Sequence, residues 1–234
     1  MTHVPAYHGI LRSHLLHVPH CITECSGIRI FGRKIHSLVF STDVAIIKNV
    51  NADAIIAVYP FTPQPSIAQA IISVSDVPVF VGVGGGTTNG SRSVRLAEYA
   101  EHQGAFGVVV NAPIADETIS QIKAVVDIPV ITTIVSLDMD IDSRIAAGAD
   151  ILNVSGASCT PEMVAEIRRR YPEIPIIATG GPTDEDIRRT IRAGANAITY
   201  TPPSSGEIFS KRMRQYREKY ADHQPVTGEF LKIN

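Results

Sequence analysis

Short apolar runs recur along this chain, and the segments between them have the periodicity of amphipathic helices. Eight such runs follow one another from residue 36 onward, and most of them are continuous rather than alternating, which is typical of parallel strands covered on both faces. They lie at residues 36–41, 53–58, 77–83, 105–110, 128–134, 149–154, 174–179 and 196–200. We therefore expect an α/β protein with the eight strands and alternating helices of a (β/α)8 TIM barrel.

A repeated sequence motif supports a single barrel. Three of the runs open with an apolar residue followed by proline, at residues 77–78, 128–129 and 174–175. After each of these runs a helical segment ends at a Gly-Ala pair, where the next apolar run begins. We predict an N-terminal extension over residues 1–35, the barrel over 36–220 and a C-terminal tail over 221–234.

Composition narrows the class of protein. A chain of 234 residues that is 44% hydrophobic can bury the core of one barrel. Its net charge of −2 provides no basic surface for nucleic acid, and no apolar run approaches the roughly 20 residues that a membrane span needs. No segment has the pattern of a signal peptide, and the three cysteines do not form a disulfide framework. We expect a cytoplasmic protein that binds neither nucleic acid nor membranes.

Two glycine clusters follow predicted strands. Gly84, Gly85 and Gly86 come after the third run, and Gly180 and Gly181 come after the seventh. In a barrel, the loops after the strands form the active site, and glycine there lets backbone N–H groups turn toward an anion at the start of the next helix. We expect these loops to bind phosphate, and the alternative is that the glycines only permit tight turns.

The loop after the eighth run differs from a glycine loop. Pro202 and Pro203 have no N–H to donate, so an anion there would depend on the residues that follow them. The expected phosphate-binding residues are therefore Gly85, Gly86, Gly180, Gly181, Ser204, Ser205 and Gly206.

The segments VPVFVGVGGG and IPIIATGGPTDEDIRRTIRAGANAITY resemble the ribulose-phosphate-binding superfamily of TIM barrels, over roughly residues 77–200. Its members include the histidine-biosynthesis barrels, the phosphosugar epimerases and thiazole synthase. The histidine-biosynthesis barrels have Gly-Gly-Gly after strand three and a phosphate loop after strand seven, so the resemblance implies that Gly85 and Gly181 contact phosphate. The usual glycine pair after strand eight is replaced here by Pro202 and Pro203, and no one family's catalytic set is complete.

The predicted mouth of the barrel contains few ionisable groups. No lysine and no histidine lies at the end of a strand, which argues against a Schiff-base aldolase and against a metal site built from histidine and carboxylate. We expect neither a metal nor another cofactor. Asp43, after the first run, is either a general base or the cap of a short helix. With Tyr59 or Asn111 as donor to an oxyanion, it would form the minimal set for a proton shift next to a carbonyl, although Tyr59 could instead serve packing.

Three further residues are candidate substrate contacts. Asn153 ends the sixth run and could orient a sugar hydroxyl, and Tyr200 ends the eighth run and could donate to an oxyanion. Arg92 opens the helix beside the first glycine cluster, where it would pair with a phosphate. The alternatives are a packing role for Tyr200 and a solvated surface position for Arg92.

Cysteine and histidine provide two weaker hypotheses. Cys159 precedes a predicted helix start, where the helix dipole lowers the pKa of a thiol, but no histidine base is close in sequence. In the N-terminal segment His14, His17 and His20 are spaced by three and are followed by Cys21 and Cys25. This spacing does not match a closed zinc motif, and surface or interface histidines are the alternative.

Together these features predict a metal-independent enzyme that acts on a small phosphorylated, phosphosugar-like metabolite. Proton transfer of the isomerase, epimerase or lyase type is the expected chemistry, and a homo-oligomer is the expected assembly. One alternative is a catalytically silent regulator that binds a phosphorylated metabolite in the same barrel. Another is a hydrolase that uses Cys159 or a water activated by Asp43.

Overall fold

Ten strands and eight α-helices form this chain in the computed structural model, which describes Pro5 and residues 16–221. The strands are β1 (Ile28–Ile30), β2 (Arg33–Ile35), β3 (Ser37–Phe40), β4 (Ala54–Ala57), β5 (Val79–Gly84), β6 (Gly107–Val110), β7 (Val130–Ile134), β8 (Ile151–Val154), β9 (Ile176–Thr179) and β10 (Ala197–Tyr200). The helices are α1 (Val44–Lys48), α2 (Pro65–Val74), α3 (Ser91–His102), α4 (Asp116–Lys123), α5 (Ile141–Ala146), α6 (Thr160–Arg170), α7 (Asp184–Arg192) and α8 (Ser205–Ala221). Short 3-10 helices lie at His20–Glu24 and Ala157–Cys159.

The strands from β3 to β10 close into a parallel barrel in chain order, with β10 paired to β3. Seven of the eight predicted apolar runs contain one of these strands, the run at 77–83 ends one residue before the end of β5, and a helix follows each strand. The predicted (β/α)8 TIM barrel is therefore confirmed. Its strands are short and mostly apolar, because side chains on one face pack in the barrel interior and those on the other face pack against the helices.

One or two side chains from each barrel strand fill the interior. They are Leu38, Ala54, Ile56, Phe80, Val109, Ile131, Ile151, Ile177 and Ala197. The alternate residues face outward and pack against the helices in two larger clusters, and each fully buried aliphatic side chain contributes about 1.5–3 kcal/mol. No helix in the described part of the chain is both long and apolar enough to cross a membrane.

A hairpin of β1 and β2 covers the amino-terminal end of the barrel, and the hydrophobic pattern did not predict it. Its turn is formed by Phe31 and Gly32, both at positive φ (44° and 80°), and its isoleucines join the interior cluster. The Phe31 ring packs edge-on against Phe106, which immediately precedes β6, with the ring centroids 5.2 Å apart. The hairpin thus closes the bottom of the barrel and leaves the opposite end as the mouth.

Polar residues directly before three strands hold the amino-terminal ends of neighbouring strands. Asp53 accepts a hydrogen bond from the first N–H of β3 at 3.1 Å, and Asp150 accepts one from the first N–H of β7 at 2.8 Å. Asn196 accepts one from the first N–H of β9 at 2.9 Å. Hydrogen bonds at the bottom of the barrel therefore stabilise the fold, and a ligand site is expected in the loops at the mouth.

Candidate active site at the barrel mouth

A cavity of about 140 Å³ opens at the carboxyl ends of β4, β5 and β6. Its wall is formed by the loop after β4, by the glycine-rich loop after β5 and by Asn111 after β6. Of the predicted site residues it brings together Tyr59, Asn111 and Gly86. Tyr59 is the one titratable side chain among the described residues that line it. The cavity is therefore equipped with hydroxyl, amide and backbone groups rather than with charges.

The glycine-rich loop, residues 84–90, is called the β5 loop below. Gly85 lies at φ +101° and its N–H donates to the carbonyl of Thr88 at 2.9 Å. A Cβ at Gly85 would lie 2.4 Å from the backbone nitrogen of Asn111, so this position is left-handed and also pressed against the β6 loop. Gly86 has no positive φ, and a Cβ added to it would meet no atom within 4 Å. The fold of the loop therefore requires Gly85 but not Gly86.

Helix α3 begins at the end of the β5 loop without a side-chain cap. Gly90 is the N-cap residue, and the first turn of α3 contains no acidic residue. Arg92 lies exposed in that first turn. Thr88 lines the cavity, is 4% exposed, and its Oγ1 has no hydrogen-bond partner among the described residues. A buried, unpartnered hydroxyl costs about 1–3 kcal/mol, so this loop holds unused hydrogen-bonding capacity.

Tyr59 and Asn111 line this cavity from the loops after β4 and β6. The Tyr59 hydroxyl oxygen accepts a hydrogen bond from the N–H of Gln64 at 2.7 Å, which leaves the phenolic hydrogen available to donate. The Asn111 N–H donates to the carbonyl of Gly84 at 2.9 Å and fixes this residue beside the β5 loop. The arrangement suits donation of two hydrogen bonds to a ligand carbonyl or oxyanion.

The loops after β9 and β10, residues 180–183 and 201–204, are called the β9–β10 loops below. Gly180 donates its N–H to the carbonyl of Thr199 at 3.2 Å, inside the barrel. Gly181 lies at φ +83°, and a Cβ there would be 2.7 Å from the Cβ of Asp186. Asp186 and Thr183 form a capping box, with the Thr183 N–H donating to Oδ2 of Asp186 at 3.2 Å. The start of α7 is thus already occupied by a carboxylate of the chain.

Backbone N–H groups at the start of α8 also donate to carboxylates of the chain. The N–H of Ser204 donates to Oε2 of Glu207 at 2.8 Å, and the N–H of Ser205 donates to Oδ2 of Asp43 at 3.2 Å. Gly206 lies exposed in the first turn of α8. A phosphate at these loops would have to displace protein carboxylates, and phosphate binding by these residues stays a prediction.

Asp43 caps α1, which is one of the two roles considered from the sequence. Its Oδ1 accepts hydrogen bonds from the N–H groups of Ala45 at 2.9 Å and Ile46 at 3.3 Å. The hydrogen bond from the Ser205 side chain is the main cause that lowers the pKa of Asp43, and the backbone donors add to it. A lowered pKa makes the carboxylate a weaker base. Asp43 does not line the cavity that contains Tyr59 and Asn111.

The remaining predicted contacts lie apart from the cavity. Asn153 pairs in register with Ile177 and so faces the barrel interior, where its Nδ2 donates to Oγ1 of Thr133 at 3.3 Å and its Oδ1 has no partner among the described residues. The Tyr200 ring is partly buried and packs against both clusters between the strands and the helices. Its observed surroundings are those of the packing alternative.

Two hydroxyl residues of the mouth were missed from the sequence. Thr199 pairs with Leu38 and therefore faces the interior, where it is 6% exposed and its Oγ1 has no partner in the described structure. Strand alternation could have found it, since it follows the inward-facing Ala197 by two residues. The burial of Thr88 depends on how its loop folds, and no local sequence signal predicts it.

The cysteines and histidines do not assemble into a site in the part of the chain described. Cys159 is exposed at the end of a 3-10 helix, whereas Cys21 and Cys25 are buried, and burial raises the pKa of Cys25 to about 12. His14 lies outside the described residues. Within those residues, no three side chains of His, Cys, Asp or Glu are grouped so that they could hold a metal ion.

Comparisons with known proteins identify a fold and one short similarity. No family model matches the chain. Inosine-5'-monophosphate dehydrogenase from Chlorobaculum tepidum is 37% identical over 62 residues, and the enzyme of the same name from Chlorobaculum parvum is 36% identical over 62 residues. Each match covers 25% of this chain and 13% of the dehydrogenase, so the similarity spans a small part of these curated relatives.

Solved structures match over most of the chain. 2,3-Dimethylmalate lyase, a member of the PEP mutase/isocitrate lyase superfamily, has a TM-score of 0.62 at 15% identity and covers 95% of this chain and 90% of its own. Phosphoenolpyruvate phosphomutase from Streptomyces platensis has a TM-score of 0.61 at 15% identity, with 93% and 89% covered. These matches support a TIM-barrel superfamily, but the one they name is not the ribulose-phosphate-binding superfamily that the glycine motifs resemble. At such identities they show the fold alone.

Proposed function

We propose that this protein is a lyase-type barrel enzyme that acts on a small phosphorylated metabolite by proton transfer, without a metal. The observation that carries the proposal is the cavity at the carboxyl ends of β4, β5 and β6, which places Tyr59 and Asn111 beside the β5 loop. The names of the matched structures, a lyase and a phosphomutase, support the reaction class. Isomerase and epimerase activities need the same groups, because both begin by removing a proton next to a carbonyl, and a lyase forms the same kind of enolate when its bond breaks.

In the proposed reaction a base removes a proton from the carbon next to a ligand carbonyl. The electron pair moves onto the carbonyl oxygen, where the Tyr59 hydroxyl and the Asn111 amide donate hydrogen bonds to the developing charge. Asp43 is the candidate base, since β3 and β4 are adjacent and their loops, which carry Asp43 and Tyr59, are neighbours. Its hydrogen bonds to α1 and Ser205 would have to loosen when the ligand binds.

A second candidate function is a catalytically silent regulator that binds the same kind of ligand. The observation in its favour is the lining of the cavity, which among described residues includes no carboxylate, histidine, lysine or cysteine. Such a wall recognises a ligand well but provides little for acid–base catalysis. Assembly as a homo-oligomer and a cytoplasmic location remain predictions under either function.

Deuterium exchange separates the two functions. The protein would be incubated in D₂O with ribulose 5-phosphate or dihydroxyacetone phosphate, each of which has C–H protons next to a carbonyl. The ligand C–H signals would be followed by proton NMR against a protein-free control while thermal shifts report binding. We expect one of these probes to bind and to exchange a C–H proton or to be consumed, with or without a chelator present. Binding without exchange would favour the regulator, and no binding by any probe would contradict both.

Tyr59→Phe tests the proposed role of the phenol. Removing one donor to an oxyanion lowers kcat by about 10²–10³-fold, so we expect a loss of that size with little change in KM. The matched control is Tyr99→Phe, at a tyrosine on α3 outside this cavity, which should keep the wild-type rate. Equal rates for wild type and Tyr59→Phe would remove Tyr59 from the mechanism.

A further inference from the structure

We propose that the β5 loop and the first turn of α3 form the subsite that holds the phosphate group of the ligand, with Thr88 as its buried donor. This inference rests on the proposed function, and it assigns the anion to one side of the mouth. Because α3 has 12 residues and no side-chain cap at Gly90, the N–H groups of its first turn present the positive end of a helix dipole.

Thr88 provides an observation independent of the helix. Thr88 is in the wall of the cavity and is 4% exposed, and its buried Oγ1 has no hydrogen-bond partner among the described residues. Because an unpartnered hydroxyl is costly and Thr88 is a residue of the cavity wall, we expect this hydroxyl to turn toward a bound ligand and bond to it. Thr88 is two residues before Gly90, the N-cap residue of α3, and we expect one oxyanion to contact both the hydroxyl and the helix start.

Thr132 shows that an orphaned hydroxyl is not by itself a site. Thr132 is fully buried with an unpartnered Oγ1, but it pairs in register with Val110 and Leu152, which pack against the helices. Thr132 does not line the cavity. The two threonines therefore share the same chemistry and differ only in whether a cavity and a helix start lie beside them.

Charge favours the same side of the mouth. The first turn of α3 has no acidic residue and carries Arg92, which is exposed and can pair with a phosphate. We expect a phosphate rather than a carboxylate, because its additional oxygens and charge could accept hydrogen bonds from a hydroxyl, helix N–H groups and a guanidinium together.

Titration calorimetry with inorganic phosphate tests the subsite without any turnover. We expect the wild type to bind phosphate and Thr88→Val to bind it at least about tenfold more weakly, the loss expected for one hydrogen bond to a charged group. Thr132→Val, the same change at a buried hydroxyl away from the mouth, and Ser204→Ala, in the β9–β10 loops, should both keep the wild-type dissociation constant. Malonate, as a carboxylate probe, should bind more weakly than phosphate.

The outcomes are distinct from those of the proposed function. Phosphate binding that depends on Thr88, with no deuterium exchange in any probe, would support the subsite while the enzyme proposal fails. Unchanged phosphate binding by Thr88→Val, loss of binding in Ser204→Ala, or tighter binding of malonate than of phosphate would each overturn the subsite. If Thr88→Val does not fold, phosphate-induced NMR shifts of the wild-type amides at Ser91, Arg92 and Ser93 decide instead, and their absence overturns it.

Discussion

The β5 loop and the β9–β10 loops are two glycine-containing regions of one barrel mouth. They differ in whether side chains of the protein cap the helix starts that follow them. Both stand before helix starts, and both contain a glycine that could not be replaced without strain or close contact. In the β9–β10 loops, carboxylates of Asp43, Asp186 and Glu207 already accept the N–H groups that an anion would use. At the β5 loop the start of α3 has no side-chain cap, and Thr88 holds an unused hydroxyl.

From this difference we expect a glycine cluster before a helix to bind an anion where the helix start is left uncapped. A capping carboxylate satisfies the same N–H groups and the same dipole that a phosphate would satisfy, and it is present at the effective concentration of the chain itself. We therefore expect the chain to compete with an anion at the starts of α7 and α8 and not at the start of α3. Variants at these loops test this difference, and the expected effect becomes smaller from one variant to the next.

The largest effect should come from Gly85→Ala. The new methyl group would lie 2.4 Å from the Asn111 nitrogen at a φ of +101°, so overpacking and backbone strain together should cost about 2–4 kcal/mol of unfolding free energy. Gly86→Ala, next to it, meets no atom within 4 Å and should change that free energy by less than about 0.5 kcal/mol. Urea unfolding measures both, and equal stabilities of the two variants would contradict the described loop.

A smaller effect is expected from Asp43→Ala, which removes the cap of α1 and the link to Ser205. Loss of a helix cap costs about 1–2 kcal/mol. Because hydrogen bonds lower the pKa of Asp43 below its ordinary value of 3.8, its stabilisation is present above about pH 4 and is lost as the pH falls through the lowered pKa. The stability difference between wild type and Asp43→Ala should therefore be constant from about pH 5 to 8 and shrink below about pH 4. A difference that grows on acidification would rule out this role.

The smallest effect concerns the β9–β10 loops themselves. If carboxylates exclude phosphate there, the double variant Asp43→Asn, Glu207→Gln should gain a second phosphate-binding event that is weaker than the first. Both replacements keep the side-chain shape and still cap the helix starts, but a neutral amide does not repel an anion and is displaced by phosphate more readily than a carboxylate. Calorimetry that still detects a single event would show that these loops lack an anion site for reasons other than charge.

Much of the barrel was predictable because its signals are local. Most barrel strands lie in continuous apolar runs of the required length, and the capping box of Thr183 and Asp186 is visible as a spacing of three. The β1–β2 hairpin was missed because each strand has three residues and its turn begins with Phe31, which is not a usual turn residue.

The site was harder to predict because its decisive contacts are not local. Asp43 and Ser205 are 162 residues apart in sequence, and only closure of the barrel brings them together. The sequence therefore indicated a glycine loop at each side of the mouth, but not which helix starts were already capped. The same holds for Thr88, whose hydroxyl becomes buried only when the loop folds back so that Gly85 bonds to its carbonyl.

A crystal structure of the protein grown in phosphate would show whether the anion binds at the start of α3 or at the start of α8. We expect one phosphate at the start of α3, with an oxygen within hydrogen-bond distance of Thr88 Oγ1, and Asp43 and Glu207 still bound to the start of α8. A phosphate bound instead to Ser204 and Ser205, with these carboxylates displaced and the start of α3 unoccupied, would contradict this expectation.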